Sequence, residues 1–435
     1  MAGENKSPFG EKLTYAVCRM AMPPQTDVET VAEIWAEGLQ LKPKQGRSIF
    51  VPYTEISKIE PINYRIHVST SSREMTLSAL GIGYDAFVQR LTDASADALA
   101  RALLMQEPTK VYEARATYAS TFRDKRSSGA CRARIYPTGI VVLPPDKLPF
   151  KVPFSSVLSV GIENYRVRIV TSDGVTIELS RMGNTAQFLA DKISETQRNL
   201  ESETLETIRG MLPTASYEES QALNELMSEG RAAMRKHVEA ISGNLWKMLE
   251  AIVNESPLAE TYRHVSSIGI HDHTAIGLKK TLQGIYVWFL VPILGSLQKG
   301  GNSLAMEVTS ETGHATYLFR IMSRGEFPSA TPQIFLGQSE ESIRAINEAM
   351  ISTGFRREPI YLSDDKLSTP AYSRYLYAAS NLDVLKLLRE RFYARLIHTT
   401  YESWQKDLEE ALAFNTSTTQ DVARWGKSKL DEPEE

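Results

Sequence analysis

Two stretches decide the architecture: Ala32-Glu-Ile-Trp-Ala-Glu-Gly-Leu-Gln-Leu-Lys-Pro43 and Ala133-Arg-Ile-Tyr-Pro-Thr-Gly-Ile-Val-Val-Leu-Pro144. They open an alignment of residues 32–71 with 133–172 at a fixed offset of 101, without a gap, in which 11 of 40 pairs are identical. The identities include Val51-Pro52/Val152-Pro153, Thr70-Ser71/Thr171-Ser172 and the tripeptides Asn63-Tyr64-Arg65 and Asn164-Tyr165-Arg166. A period near 100 residues is too long for a solenoid unit, so it reads as one small domain in tandem.

Within each copy the apolar period is two. Tyr64, Ile66 and Val68 are expected on one face of a strand and Arg65, His67 and Ser69 on the other, with Tyr165, Val167 and Ile169 opposing Arg166 and Arg168 in the second copy. Turn signals stand at Gly38, Gly139, Pro144-Pro145-Asp146 and Asp173-Gly174. Such short connections imply antiparallel pairing. After the last strand of each copy the period becomes helical, at Phe87, Val88 and Leu91 and at Phe188, Leu189 and Ile193.

The expected fold is mainly β with α: two bent antiparallel sheets, each capped by a C-terminal helix, then further modules. The domains are read as 1–107, 108–214, a helical linker at 215–257 without strands, a third β-rich module at 258–352, and a C-terminal region at 353–435. The third module is either a degenerate copy or unrelated. Its strands are expected at 266–282, 286–294, 304–309 and 315–322, followed by a helix starting near Ser339. The run Tyr286–Leu294 has no polar alternate and reads as a central strand covered on both faces. Leu385, Leu388, Phe392, Leu396, Trp404, Leu408 and Leu412 suggest one long amphipathic helix before an acidic tail.

The chain has 435 residues, 42% hydrophobic and 23% charged, with a formal charge of −4, an ordinary composition for about three globular domains. The net charge and a pI near 6.1 argue against a general nucleic-acid binder. Cys18 and Cys131 lack metal-ligand spacing and read as reduced thiols. Met-Ala-Gly-Glu-Asn-Lys-Ser-Pro at the start has no apolar core, so a cytoplasmic location is expected.

The strand-turn-strand Arg134-Ile135-Tyr136-Pro137-Thr138-Gly139-Ile140-Val141-Val142, followed by Val152-Pro153-Phe154-Ser155-Ser156-Val157 and a closing helix, resembles a pleckstrin-homology-like domain of the bacterial or GRAM type, over residues 10–213. The resemblance implies a seven-stranded bent sheet capped by a helix, used to bind phosphoinositides, peptides or proteins. Function does not follow from such a fold by itself.

Residues 110–134 carry the sharpest charge, seven cations against Glu113 and Asp124, a net +5. In phosphoinositide-binding relatives of the resembling family, a basic loop residue and an Arg-x-Arg pair clamp the head group. Arg123, Lys125, Arg126, Arg132 and Arg134 are therefore the candidate partner- or anion-binding residues, with both strand arginines expected to be exposed on one face. The partner is read as an acidic protein, with an anionic membrane surface as the alternative.

His271 and His273 share a face if their segment is a strand, but spacing supplies no third metal ligand, so no cofactor is assigned. Gly295 and Gly300 have phosphate-loop spacing with Gly301 where the lysine belongs, and Gly301–Ala305 lacks the last glycine of a nucleophile elbow. The chain is therefore read as a non-enzymatic adaptor or scaffold with tandem binding domains. A peripheral membrane protein is the alternative, and an enzyme sited in 258–370 a further one.

Overall fold

The computed structural model describes residues 9–416 except 24, 106–108, 123–124, 282–283, 297–299, 311–312 and 370. The acidic tail lies outside these described residues. The chain divides into two compact units, residues 1–197 and 198–435.

The first unit holds the tandem copies as far as Gln197, within the helix that closes the second. In the first copy, β1 (Lys12–Met22), β2 (Gln25–Trp35), β3 (Gly38–Pro43), β4 (Ile49–Pro52), β5 (Ile56–Ile62), β6 (Arg65–Thr70) and β7 (Glu74–Ser78) precede helix α1 (Tyr84–Leu104). The second copy repeats this as β8 (Tyr112–Phe122), β9 (Lys125–Tyr136), β10 (Gly139–Leu143), β11 (Phe150–Pro153), β12 (Val157–Glu163), β13 (Arg166–Thr171), β14 (Thr176–Ser180) and α2 (Thr185–Met211). The sheet orders match: β4-β3-β2-β1-β7-β6-β5 and β11-β10-β9-β8-β14-β13-β12. Seven antiparallel strands followed by a helix is the arrangement that the resemblance implies.

The offset holds in the register. Gly38 faces Pro52 and Leu39 faces Val51, as Gly139 faces Pro153 and Ile140 faces Val152. The two glycines are required by close approach, since a Cβ would fall 2.5 Å from the Val51 carbonyl oxygen at Gly38 and 2.4 Å from that of Val152 at Gly139. The inward faces bury Met20, Ile34, Leu41, Ile66, Val68 and Leu77 against Phe87 and Leu91 of α1. One expectation is corrected: Tyr64 and Tyr165 do not pack inward, being 78% and 70% exposed. Asn63-Tyr64 and Asn164-Tyr165 all have positive φ, the backbone of a tight two-residue hairpin turn.

The second unit departs from this plan. It contains α3 (Tyr217–Leu226), β15 (Ala233–Met234), α4 (Arg235–Ile241), α5 (Gly243–Glu255), α6 (Ala259–Ile268), β16 (Ala275–Thr281), β17 (Gly284–Ser296), β18 (Gly300–Ser310) and β19 (Gly313–Arg320). Then follow α7 (Pro332–Ser352), α8 (Glu358–Tyr361), α9 (Asp364–Leu367), α10 (Ser373–Asn381), α11 (Asp383–Arg391), β20 (Phe392–Ile397) and α12 (Tyr401–Thr416). The sheet order is β15-β16-β17-β18-β19-β20, a meander with an added strand at each end. It does not repeat the tandem order, so the reading as a third copy is not met.

As expected, β17 is central and shielded on both faces. Trp288, Phe289, Leu290 and Val291 are all fully buried. Phe289 meets Tyr262 of α6 edge-on at 5.1 Å, while Trp288 faces the other way, toward Phe355 at 5.6 Å, and donates from Nε1 to the Gly230 carbonyl at 2.9 Å. Residues 215–257 are helical but are no free linker: Leu223, Val238, Leu245, Trp246 and Leu249 join Val287, Phe289 and Leu408 in one core. Nor are they free of strand, because Ala233–Met234 pairs with β16.

The single C-terminal helix is corrected too. Leu385 and Leu388 lie on α11, Leu396 on β20, and Trp404, Leu408 and Leu412 on α12. Phe392–Ile397 is rich in aromatic and branched residues and completes the open edge of β19, a tertiary pairing that overrides helical spacing. Likewise α7 begins at Pro332, capped by the Thr331 side chain, rather than near Ser339.

Candidate partner-binding site

The first helix is built to be covered on more than one side. Its sequence Ala94-Ser-Ala-Asp-Ala-Leu-Ala-Arg-Ala-Leu-Leu104 presents small or apolar residues around most of its circumference, and Ala94, Ala96, Ala98, Ala100, Leu103 and Leu104 are all buried. One side fills the core of its own copy; the other packs on β10 of the second copy, where Val141 and Leu143 are buried.

Asp93 and Asp97, one helical turn apart, aim from α1 at the Arg-x-Arg pair of β9. Arg134 bonds Asp97 through Nη2 at 2.7 Å and Glu113 of β8 through Nε at 2.6 Å. Arg132 pairs with Asp93 and, at 3.6 Å, with Glu113. Arg115 Nη2 donates to Gln89 Oε1 at 3.2 Å, and Gln89 Nε2 to Asp93 at 2.8 Å. Burial would raise the Asp93 carboxyl, but hydrogen bonds from Gln89 and Arg132 hold it below the ordinary carboxylate range. Glu113 is likewise lowered against its burial by Lys110 and Arg134. The Arg134 guanidinium is raised despite burial by Tyr136, Glu113 and Asp97.

This corrects the expectation of two exposed strand arginines, since Arg134 is only 3% exposed and its donors are taken by carboxylates of the same unit. The other candidates separate from it. Arg126 is exposed, opposite Thr121 near the end of the β8–β9 hairpin. Arg123 lies outside the described residues, and of Lys125 only the backbone, at the start of β9, is described. Lys147 reaches over from beyond β10, donating to the Ser128 carbonyl at 2.7 Å. The acids of α1 were not singled out from sequence. Their signal was present: carboxylates at i, i+4 on a helix whose remaining faces are alanine and leucine, followed by an Arg-x-Arg strand.

The histidine pair comes apart. Residues 271–273 form a single helical turn, not a strand. His271 contacts Arg235, whereas His273 is bonded through Nε2 to Glu340 at 3.0 Å, beside the Lys236–Glu340 pair. Among the described residues no group of three or more His, Cys, Asp and Glu is placed to hold a metal ion. Cys18 and Cys131 are buried free thiols, each pushed up to about 11 by burial and so weakly nucleophilic at neutral pH. No helix among the described residues is long and apolar enough to cross a membrane.

No protein-family model matches the chain, and no curated protein matches it. Among solved structures it is similar to a chain of the "Structure of the Spt16D Pob3N heterodimer", at 8% identity and a TM-score of 0.17, over 37% of this chain and 86% of that one.

Proposed function

We propose that this chain is a non-enzymatic adaptor that holds other proteins through its tandem pleckstrin-homology-like copies. One observation carries the reading: the outer face of the second sheet binds helix α1 through side chains, with paired carboxylates on the helix meeting paired arginines on the strand. A sheet face of this kind is therefore a helix-binding surface, and two copies in one chain raise the effective concentration of the second contact once the first is made. A cytoplasmic location belongs to the same reading, with which two buried free thiols accord. The histidines held by Arg235 and Glu340 serve structure in this reading.

The test is affinity purification of the full chain from its native cell, followed by rebinding of each captured protein in purified form. Saturable binding that ignores phosphatidylserine vesicles is expected. Failure of every purified protein to rebind would overturn the adaptor.

A second reading, peripheral attachment to anionic lipid in the manner of the GRAM-type resemblance, is favoured by exposed Arg126 near the end of the β8–β9 hairpin. It requires co-sedimentation with phosphatidylserine vesicles that weakens as salt rises and is lost in Arg126→Glu. Arg132 and Arg134 take no part in it, since their charge is neutralised within the unit.

A further inference from the structure

The two sheets have the same order, yet their outer faces differ in cover and in chemistry. Pairing registers place Tyr15 of β1 opposite Glu33 and Val17 opposite Val31, as Glu113 stands opposite Arg134 and Arg115 opposite Arg132. Across the next pair, Glu33 and Val31 face Gln40 and Lys42, as Arg134 and Arg132 face Val141 and Leu143. Tyr15, Val17, Val31 and Glu33 of the first copy thus occupy the places of Glu113, Arg115, Arg132 and Arg134, the residues at the α1 contact. In the second copy α1 covers part of that face: Arg134 is buried and Glu113 and Arg132 are half-buried beside it, while Arg115 stays exposed. In the first copy, Tyr15 is 63% and Val17 57% exposed, side by side with half-buried Val31.

Cations flank this apolar strip. Lys12 and Lys42 clasp the buried Glu33 carboxylate at 3.0 and 2.8 Å, and Trp35 Nε1 donates to it at 3.2 Å. One carboxylate between two lysines leaves net positive charge, and the lysine side chains stay 42% and 45% exposed. Lys12 lies over the Tyr15 ring at 5.3 Å, and Arg19, paired with Asp27 at 3.7 Å, continues the strand, 60% exposed.

Resting on the adaptor reading, we infer that the Tyr15–Val17–Val31 face of the first sheet docks an amphipathic helix of a partner protein, one with an apolar ridge flanked by carboxylates. A helix is the occupant because the same face of the second copy carries one. Carboxylates are specified because α1 meets its arginines with Asp93 and Asp97, and the first face offers Lys12 and Lys42 at its margins. The ridge must be apolar because Tyr15 and Val17 stand where the second copy places Glu113 and Arg115. An apolar centre rimmed by charge is the usual anatomy of such a contact.

The experiment places a benzophenone amino acid at position 17 of the full chain in its native cell and maps the cross-linked product by mass spectrometry. The expected product joins position 17 to a protein segment with carboxylates at i, i+4 beside apolar residues. A synthetic peptide of that segment should bind the purified full chain and lose about tenfold in affinity in Val17→Glu and in Lys42→Gln. Lys42→Gln leaves Lys12 and Trp35 on Glu33, and the thermal midpoint of Val17→Glu should stay at the wild-type value.

Cross-linking to lipid, to a second copy of this chain or to nothing would overturn the site, as would a segment without carboxylates or peptide affinity unchanged in both variants. The two readings fail separately. Partners that bind Val17→Glu as well as wild type sink the site and leave the adaptor standing, whereas no rebinding partner for either chain sinks both.

Discussion

Replacing Arg134 by alanine should destabilise the first unit by about 3 kcal/mol, the lower end of what breaking a buried ion pair costs. Arg134 is 3% exposed and is held by Glu113 and Asp97. Its loss leaves Glu113, with a side chain 22% exposed, short of one partner. The penalty stays at the lower end because Lys110 at 3.0 Å and Arg132 at 3.6 Å still neutralise that carboxylate. Asp97 is 54% exposed, so Asp97→Ala should cost under about 1 kcal/mol, the range of a solvent-screened pair. For a unit of this size, about 3 kcal/mol corresponds to a fall of roughly 6–12 °C in midpoint. Thermal unfolding followed by circular dichroism measures the shift, and amide exchange across β9 and α1 localises it. A midpoint within about 1 °C of wild type would refute the network, because a loss this large moves a unit of this size by several degrees.

Trp288→Ala should cost about 3–5 kcal/mol, as for large aromatic truncations in cores, and an unchanged midpoint would mean that β17 is not covered on the Trp288 face. Acid should loosen the contact between the copies. Asp93 and Glu113 are held below their ordinary range in the folded state, so their stabilisation is complete above about pH 5 and is lost as pH falls through the lowered values. Unfolding midpoints that do not move on acidification from neutral pH would contradict this. Tyr64→Gly should raise stability by about 1 kcal/mol, because glycine takes the positive φ of 58° without the steric penalty of a Cβ; a lower midpoint in denaturant would show that the exposed ring contributes more than its backbone costs.

Local chemistry made the tandem copies legible. Gly38 and Gly139 sit where a Cβ would strike the neighbouring strand, Asn63-Tyr64 and Asn164-Tyr165 make the same tight turn, and period-two burial at Ile66/Val68 and Val167/Ile169 fixes which face is inward. Each of these is set by neighbours close in the chain or by a single strand pairing. Tyr64 and Tyr165 escape the strand alternation because each sits in the turn, one residue before its strand begins. The buried run at Trp288 was equally readable, since a strand with no polar alternate has no side to offer water.

What tertiary structure alone decided is where faces meet. A sequence shows that α1 carries Asp93 and Asp97 and that β9 carries Arg132 and Arg134; it does not show that helix and strand oppose one another across two copies. The pairing turns an apparent ligand site into an internal ion network, since a charge is free or spent according to what lies within a few ångströms of it. The same holds for Phe392–Ile397, which becomes a strand because β19 has an open edge, and for the helices at 217–255, which become core because the third sheet has a face to cover. Periodicity names the apolar side of an element, whereas only the assembled chain determines whether that side, as at Tyr15 and Val17, is left exposed.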